Sequence, residues 1–152
     1  MGETDGGRGL VVVGVDGSEG SRRALEWALE EARLRDLEVS AIGVVQLHLV
    51  ALSVPGYPYA DDRYIEDLLR ETRTMVAQQV DEVRPAPGVT VTTRAVLGAP
   101  AEVLVDASEK AELLVVGSRG RGGFSGLLLG SVSQQCTSHA SCPVVVMRPR
   151  HP

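Results

Sequence analysis

Lysine is almost missing from this 152-residue chain: of fifteen basic residues, Lys110 alone is lysine and the rest are arginine. No GxxxxGK[ST] run occurs, which excludes a P-loop nucleotide hydrolase. No GxSxG occurs either, so a serine hydrolase would lack its nucleophile elbow. Apolar runs stay well short of the eighteen residues that a membrane-spanning helix needs. The opening segment, Met1 to Gly9, is polar and glycine-rich without the apolar core of a signal peptide, and it reads as a short disordered lead. Two cysteines, Cys136 and Cys142, make no disulfide framework and no CxxC pair, and His139 between them gives no metal-ligand spacing. They are expected to be reduced thiols of a cytoplasmic protein. Positive charge is also short: fifteen basic against twenty acidic residues give a net charge of −5, which excludes a nucleic-acid binder relying on a basic surface. Internal repeats, low-complexity tracts and a second domain are all lacking, and one domain over residues 10–149 is expected.

What the chain does contain is alternation. Leu10 to Val15 is a β-branched run ending in Asp16-Gly17-Ser18, a strand followed by a turn with Ser18 as helix cap. Ala24, Leu25, Ala28, Leu29 and Ala32 then share one helical face, with Arg22, Arg23, Glu26, Glu30 and Arg33 elsewhere. Val39 to Val45 is a second strand, in which Gly43 suggests close approach of a backbone or a ligand. Leu47 to Ala60 carries Pro55, Gly56 and Pro58 and reads as the longest loop, a candidate lid. Ile65, Leu68, Leu69, Val76, Val80 and Val83 give a long amphipathic helix that stops near Pro85. Val89 to Leu97 alternates apolar and polar residues as a half-buried or edge strand does. Pro100 opens a third helix, Leu113 to Val116 is a fourth strand, Ser131 to Ala140 a fourth helix, and Val144 to Met147 a fifth strand. Strands alternating with helices predict an α/β fold: a five-stranded parallel sheet with helices on both faces. Ligands of such a sheet lie outside the carboxyl ends of its strands. Asp16, Val44, Gly98 and Gly117 all fall on that rim.

The chemistry concentrates in the glycine-rich stretch from Gly117 to Ser131, between the fourth strand and the fourth helix. Glycine lets backbone N–H groups converge, and a helix N-terminus adds orphan donors and the positive end of its dipole, so the junction suits phosphate. Gly120-Arg121-Gly122-Gly123 does not complete GxGxxG and follows the fourth strand rather than the first, against a dinucleotide site. The spacing that does occur is glycine, two residues, glycine, nine residues, Gly-Ser: Gly117, Gly120 and Gly130-Ser131.

With Val13-Gly14-Val15-Asp16-Gly17-Ser18 at one end and Cys142-Pro143-Val144-Val145-Val146 at the other, this pattern resembles the ATP-binding branch of the universal stress protein family. The resemblance implies a Rossmann-type sheet of the adenine nucleotide α-hydrolase kind, in the order 3-2-1-4-5, with the nucleotide across the break between strands 1 and 4. It implies that Asp16 accepts hydrogen bonds from the ribose hydroxyls, with Gly14, Val15 and Gly17 shaping the same turn. Val44 would pack on the adenine and offer backbone groups to its edge. Gly117, Ser118 and Gly120 would line the nucleotide, and Gly130, Ser131, Val132 and Ser133 would cradle its phosphates, with Ser131-Val132-Ser133-Gln134 as a capping box. It implies ATP, with Mg²⁺ held mainly by the phosphates. It also implies a homodimer through Val144–Met147, whose pairing with its two-fold mate removes an exposed apolar edge. No lysine and no evident base accompany the phosphate loop, so a nucleotide-dependent stress-response binding module with at most slow hydrolysis is expected rather than a fast enzyme. The alternatives are a genuine ATPase or phosphotransferase, and a sensor of another adenine nucleotide such as cyclic AMP. No nucleic-acid or membrane partner is expected.

Overall fold

The computed structural model describes residues 7–47, 61–120 and 129–150. Most of the lead before Leu10, of the loop from Leu47 to Ala60 and of the glycine stretch (Arg121, Gly122, Gly123 and Gly126 included) lies outside the described residues.

Among the described residues nine elements alternate: β1 (Leu10–Gly14), α1 (Glu19–Arg35), β2 (Glu38–Val45), α2 (Asp62–Val83), β3 (Val91–Leu97), α3 (Pro100–Ser108), β4 (Leu113–Gly117), α4 (Ser131–His139) and β5 (Val144–Met147). The strands form one sheet in the order β3-β2-β1-β4-β5, every pair parallel. The predicted architecture is the one observed.

Period-two alternation builds two cores from the same strands. Val11 and Val13 of β1, with Leu113 and Val115 of β4, face the first core, under Ala24, Leu25, Ala28, Leu29 and Ala32 of α1 and Val76 and Val80 of α2. Val12, Leu114 and Val116 point the other way, to Leu104 of α3 and Cys136 of α4. Helices α1 and α2 therefore cover one face, and α3 and α4 the other. Burial on both sides is why β1 and β4 read as nearly unbroken apolar runs. The edge strand β3 instead keeps Thr92 and Arg94 exposed. On the opposite edge, all four residues of β5 stay half-buried.

Three details depart from the expectations. β3 starts at Val91 because the Val89 N–H donates back to the Ala86 carbonyl at 3.2 Å in a turn. β4 extends to Gly117, which pairs with Met147, while β1 ends at Gly14. At Gly43 in β2 the expected backbone approach is present, the Val15 carbonyl oxygen standing 3.4 Å from where a Cβ would lie, but side chains of α2 come nearer. A Cβ there would lie 2.7 Å from the Cγ2 atoms of both Thr72 and Val76, so the glycine admits α2 to the sheet.

Cys136 is fully buried in the second core, where burial pushes its thiol up to about 11. Half-buried Cys142 is also raised by burial, partly offset by a backbone hydrogen bond from Leu114. Both are free, and neither carries the lowered pKa of a reactive thiol. Among the described residues, no helix is long and apolar enough to cross a membrane.

Candidate functional site

β1 pairs with β4 from Val11 and Leu113 as far as Val13 and Val115, and beyond that point the two segments diverge to opposite faces of the sheet. β1 leads to α1 on one face, and β4 leads toward α4 on the other. A parallel sheet opens a crevice at such a switch point.

On the β1 side the turn is tightly made. Asp16 Oδ1 accepts from the Ser18 N–H at 2.9 Å and from the Ser18 hydroxyl at 2.5 Å. Ser18 Oγ accepts in turn from the Ser21 N–H at 3.2 Å, capping α1. Gly17 sits between at φ 80°, a conformation that a side chain would strain. Asp16 is thus a turn former as well as a site candidate. Its second oxygen, Oδ2, faces across the crevice: a Cβ on Gly120 would lie 2.8 Å from it. Glycine at 120 is what lets the loop after β4 come up to the carboxylate after β1.

Behind this turn, Val15 is buried in the first core, and its N–H donates to the Ile42 carbonyl at 2.9 Å. Gly14 looks to the other face, where a Cβ would meet Leu104 Cδ1 at 2.9 Å. Val44 packs its half-buried side chain on the second core. Its backbone has a different outlook. Alternate residues of a parallel strand bond to opposite neighbours. The Glu38 N–H and the Ile42 carbonyl bond toward the β1 side, to Gly9 and Val15, while the Val39 N–H and the Val45 carbonyl bond toward β3. Val44 therefore directs its N–H and carbonyl to the flank where β1 has already ended.

On the β4 side, Ser118 is buried and acts as a hub. Its N–H donates to the Met147 carbonyl at 2.9 Å, and its carbonyl accepts from the Gly130 N–H at 2.6 Å and the Ser133 hydroxyl at 3.0 Å. Ser133 Oγ lies equally near the Gly130 carbonyl. These bonds tie the two ends of the glycine-rich loop together at its base. Gly117 has a packing duty too: a Cβ on it would sit 2.8 Å from the Gly20 carbonyl carbon, so two glycines let the first turn of α1 rest on the end of β4.

The capping box expected from Ser131-Val132-Ser133-Gln134 is not what caps α4. Gly130 is the cap residue, extended at φ −72° and ψ 169°, and Ser131 is the first helical residue, with its side chain exposed. The reason is the Ser118 hub, which engages both the Gly130 N–H and the Ser133 hydroxyl and so draws the chain into the helix at Gly130. The first intrahelical bond runs from the Gln134 N–H to the Gly130 carbonyl at 3.0 Å. The N–H groups of Ser131, Val132 and Ser133 lie ahead of it, at the positive end of the helix. Among the described residues, no group of three or more His, Cys, Asp or Glu residues could hold a metal ion.

Asp16 and Gly120 are thus brought together across the crevice, and Gly117, Ser118, Gly130 and Ser133 join at the loop base. Two features went unread in the sequence. Gly20 falls in the opening turn of a helix, where its low propensity asks for a packing reason. Gln79 falls on the buried face of α2 between Val76 and Val80, where an amide must find partners.

A profile of the Universal stress protein family matches residues 8–148. Among curated relatives, universal stress protein Rv2623 of Mycobacterium tuberculosis is 39% identical over 145 residues, covering 91% of this chain and 44% of its own. A universal stress protein of Mycolicibacterium smegmatis is 38% identical over 142 residues, covering 92% and 46%. The chain spans about half the length of the curated relatives it matches. Among solved structures, the protein MJ0577 superposes with a TM-score of 0.78 at 22% identity, covering 95% of this chain and 99% of that one, a likeness of fold. A universal stress protein in complex with cAMP shows 27% identity and a TM-score of 0.59, covering 93% and 98%. The universal stress protein of Archaeoglobus fulgidus in complex with dAMP shows 25% identity and a TM-score of 0.60, covering 90% and 95%.

Proposed function

The chain belongs to the universal stress protein family, and from that premise we propose that it is an adenine-nucleotide-binding module that takes ATP across the break between β1 and β4. The observation that carries this reading is the meeting of Asp16 Oδ2 with Gly120 at the switch point, a carboxylate beside a residue that has no side chain. A carboxylate is an apt acceptor for a ribose diol, and Asp16 stands away from the phosphates it would repel. In this reading Gly14, Val15 and Gly17 hold the Asp16 turn, and the backbone of Val44 meets the adenine edge. Gly117, Ser118 and Gly120 line the nucleotide. The N–H groups of Ser131, Val132 and Ser133 receive the phosphates, with Gly130 leaving room for them. Mg²⁺ would be carried mainly by the phosphates.

The module binds rather than turns over: no lysine follows Lys110 anywhere in the chain, so the loop itself carries none to concentrate charge on a transferring phosphoryl group. At most slow hydrolysis is compatible with this chemistry, and a turnover near the ordinary enzymatic range of about 1 per second or above would instead make it an ATPase or phosphotransferase. A second reading, preference for cyclic AMP, draws support from the relative solved with cAMP. Competition decides between them: ATP is expected to displace a fluorescent adenine nucleotide at lower concentration than cyclic AMP does. The reverse order would reassign the ligand, and displacement by neither would overturn the reading.

The apolar edge Val144–Met147 supports a homodimer, its half-buried valines covered by the same strand of a second copy. Light scattering at micromolar concentration is expected to give twice the chain mass; a clean monomer would contradict it. Action in the cytoplasm, as one domain over residues 10–149, completes the reading.

A further inference from the structure

Gln79 lies on α2, far along the chain from the Asp16 turn, yet it is built into that turn. It is buried at 7% exposure, and its partner Ser21 at 3%. The Ser21 hydroxyl donates to Gln79 Oε1 at 2.9 Å, and Gln79 Nε2 donates to the Ser18 carbonyl at 3.1 Å. Ser21 Oγ then accepts from the Asp16 N–H at 3.3 Å. The Ser21 hydroxyl also lies 3.0 Å from the Ser18 carbonyl, but that carbonyl already accepts from the Arg22 N–H and from Gln79 Nε2, so the single Ser21 proton is assigned to Gln79 Oε1. The result is a closed ring: Asp16 N–H to Ser21, Ser21 to Gln79, Gln79 to Ser18, and Ser18 through its own N–H and hydroxyl back to Asp16 Oδ1. Both the backbone and the carboxylate of Asp16 are therefore oriented by a residue of another helix.

A buried amide is costly unless paired, and an apolar residue on the stripe between Val76 and Val80 would serve packing alone. We infer that Gln79, acting through Ser21 and Ser18, is a positioning residue that aims Asp16 Oδ2 into the crevice, and so sets the discrimination for a nucleotide's ribose hydroxyls. The inference rests on the reading of Asp16 as the ribose acceptor. It makes the pose of α2 a determinant of sugar recognition.

The test is the ratio of dissociation constants for 2′,3′-dideoxy-ATP and ATP, which reports the sugar contact rather than overall stability. Gln79→Met keeps volume and removes both bonds, and Ser21→Ala removes a single oxygen and keeps the assay open where the first variant folds poorly. Each is expected to lower that ratio by about fivefold or more, the factor that one hydrogen-bond's worth of misplacement yields. Val80→Ala, next to Gln79 and buried, should destabilise the chain and leave the ratio unchanged. Asp16→Ala separates the two claims. A ratio that Asp16→Ala leaves intact refutes the ribose role itself. A ratio that collapses in Asp16→Ala but holds within twofold in both Gln79→Met and Ser21→Ala overturns the positioning role alone. Collapse in Val80→Ala as well would overturn it too, by showing a general structural effect.

Discussion

Gly130→Glu is expected to weaken ATP binding by about a hundredfold or more, equivalent to roughly 2.7 kcal/mol, while the far-ultraviolet spectrum and melting temperature stay near those of the parent. The backbone permits the change, because Gly130 is extended at φ −72°, a conformation any residue adopts. The first carbon also fits: a Cβ there would lie 3.4 Å from the Ser118 carbonyl oxygen and 3.5 Å from Arg119 Cα, ordinary contacts. What does not fit is the ligand. Glutamate places a carboxylate at the start of α4, where the N–H groups of Ser131, Val132 and Ser133 would otherwise meet phosphate. An anionic side chain at a helix N-terminus is itself stabilising, so loss of binding without loss of fold is the distinguishing result. Titration calorimetry on both proteins, alongside thermal melts, reads the two quantities separately.

The second large effect runs the other way. Gly117→Ala is expected to destabilise the protein by about 1–3 kcal/mol in the absence of any nucleotide. The added Cβ would lie 2.8 Å from the carbonyl carbon and 3.2 Å from the Cα of Gly20, both backbone atoms that have no rotamer to escape into. Either α1 must lift off the end of β4 or β4 must shift against β5, and α1 supplies much of the first core. Urea denaturation should show a lower midpoint at unchanged slope. A parent-like midpoint would mean that the Gly20–Gly117 contact is loose, and that the first glycine of the motif is there for the ligand alone. Gly117 and Gly130 thus divide the motif's labour. One glycine is required by packing, and the other leaves space at the helix start.

The sheet was legible because burial on both faces writes β1 and β4 as continuous apolar runs and β2 as a run interrupted by Ser40 and Gly43, and the four amphipathic stretches between the strands leave few alternatives. Edge character was legible in β3 for the same reason, since its alternation survives as exposed Thr92 and Arg94. The rim candidates followed from topology, which brings Asp16 and Gly120 together although more than a hundred residues separate them. What sequence could not show was how polar groups would be satisfied. The Ser-x-x-Gln pattern at Ser131 is a local signal, and it yielded to a distant partner, the Ser118 carbonyl, that holds Gly130 and Ser133. Gly43 was legible as a close approach, but not as an approach of Thr72 and Val76. The Gln79 ring was invisible for the same physical reason. A buried amide announces that it needs partners, and only the fold supplies which ones.

The central claim is that nucleotide lies between the Asp16 turn and the α4 N-terminus. Amide hydrogen exchange of the whole chain, with and without saturating ATP, addresses it most directly. Protection is expected at residues 14–18, at Val44, at residues 117–120 and at residues 130–133, with the N–H groups of Ser131, Val132 and Ser133 slowing most. Binding that leaves these segments unchanged, or protects a different part of the chain, would contradict the account.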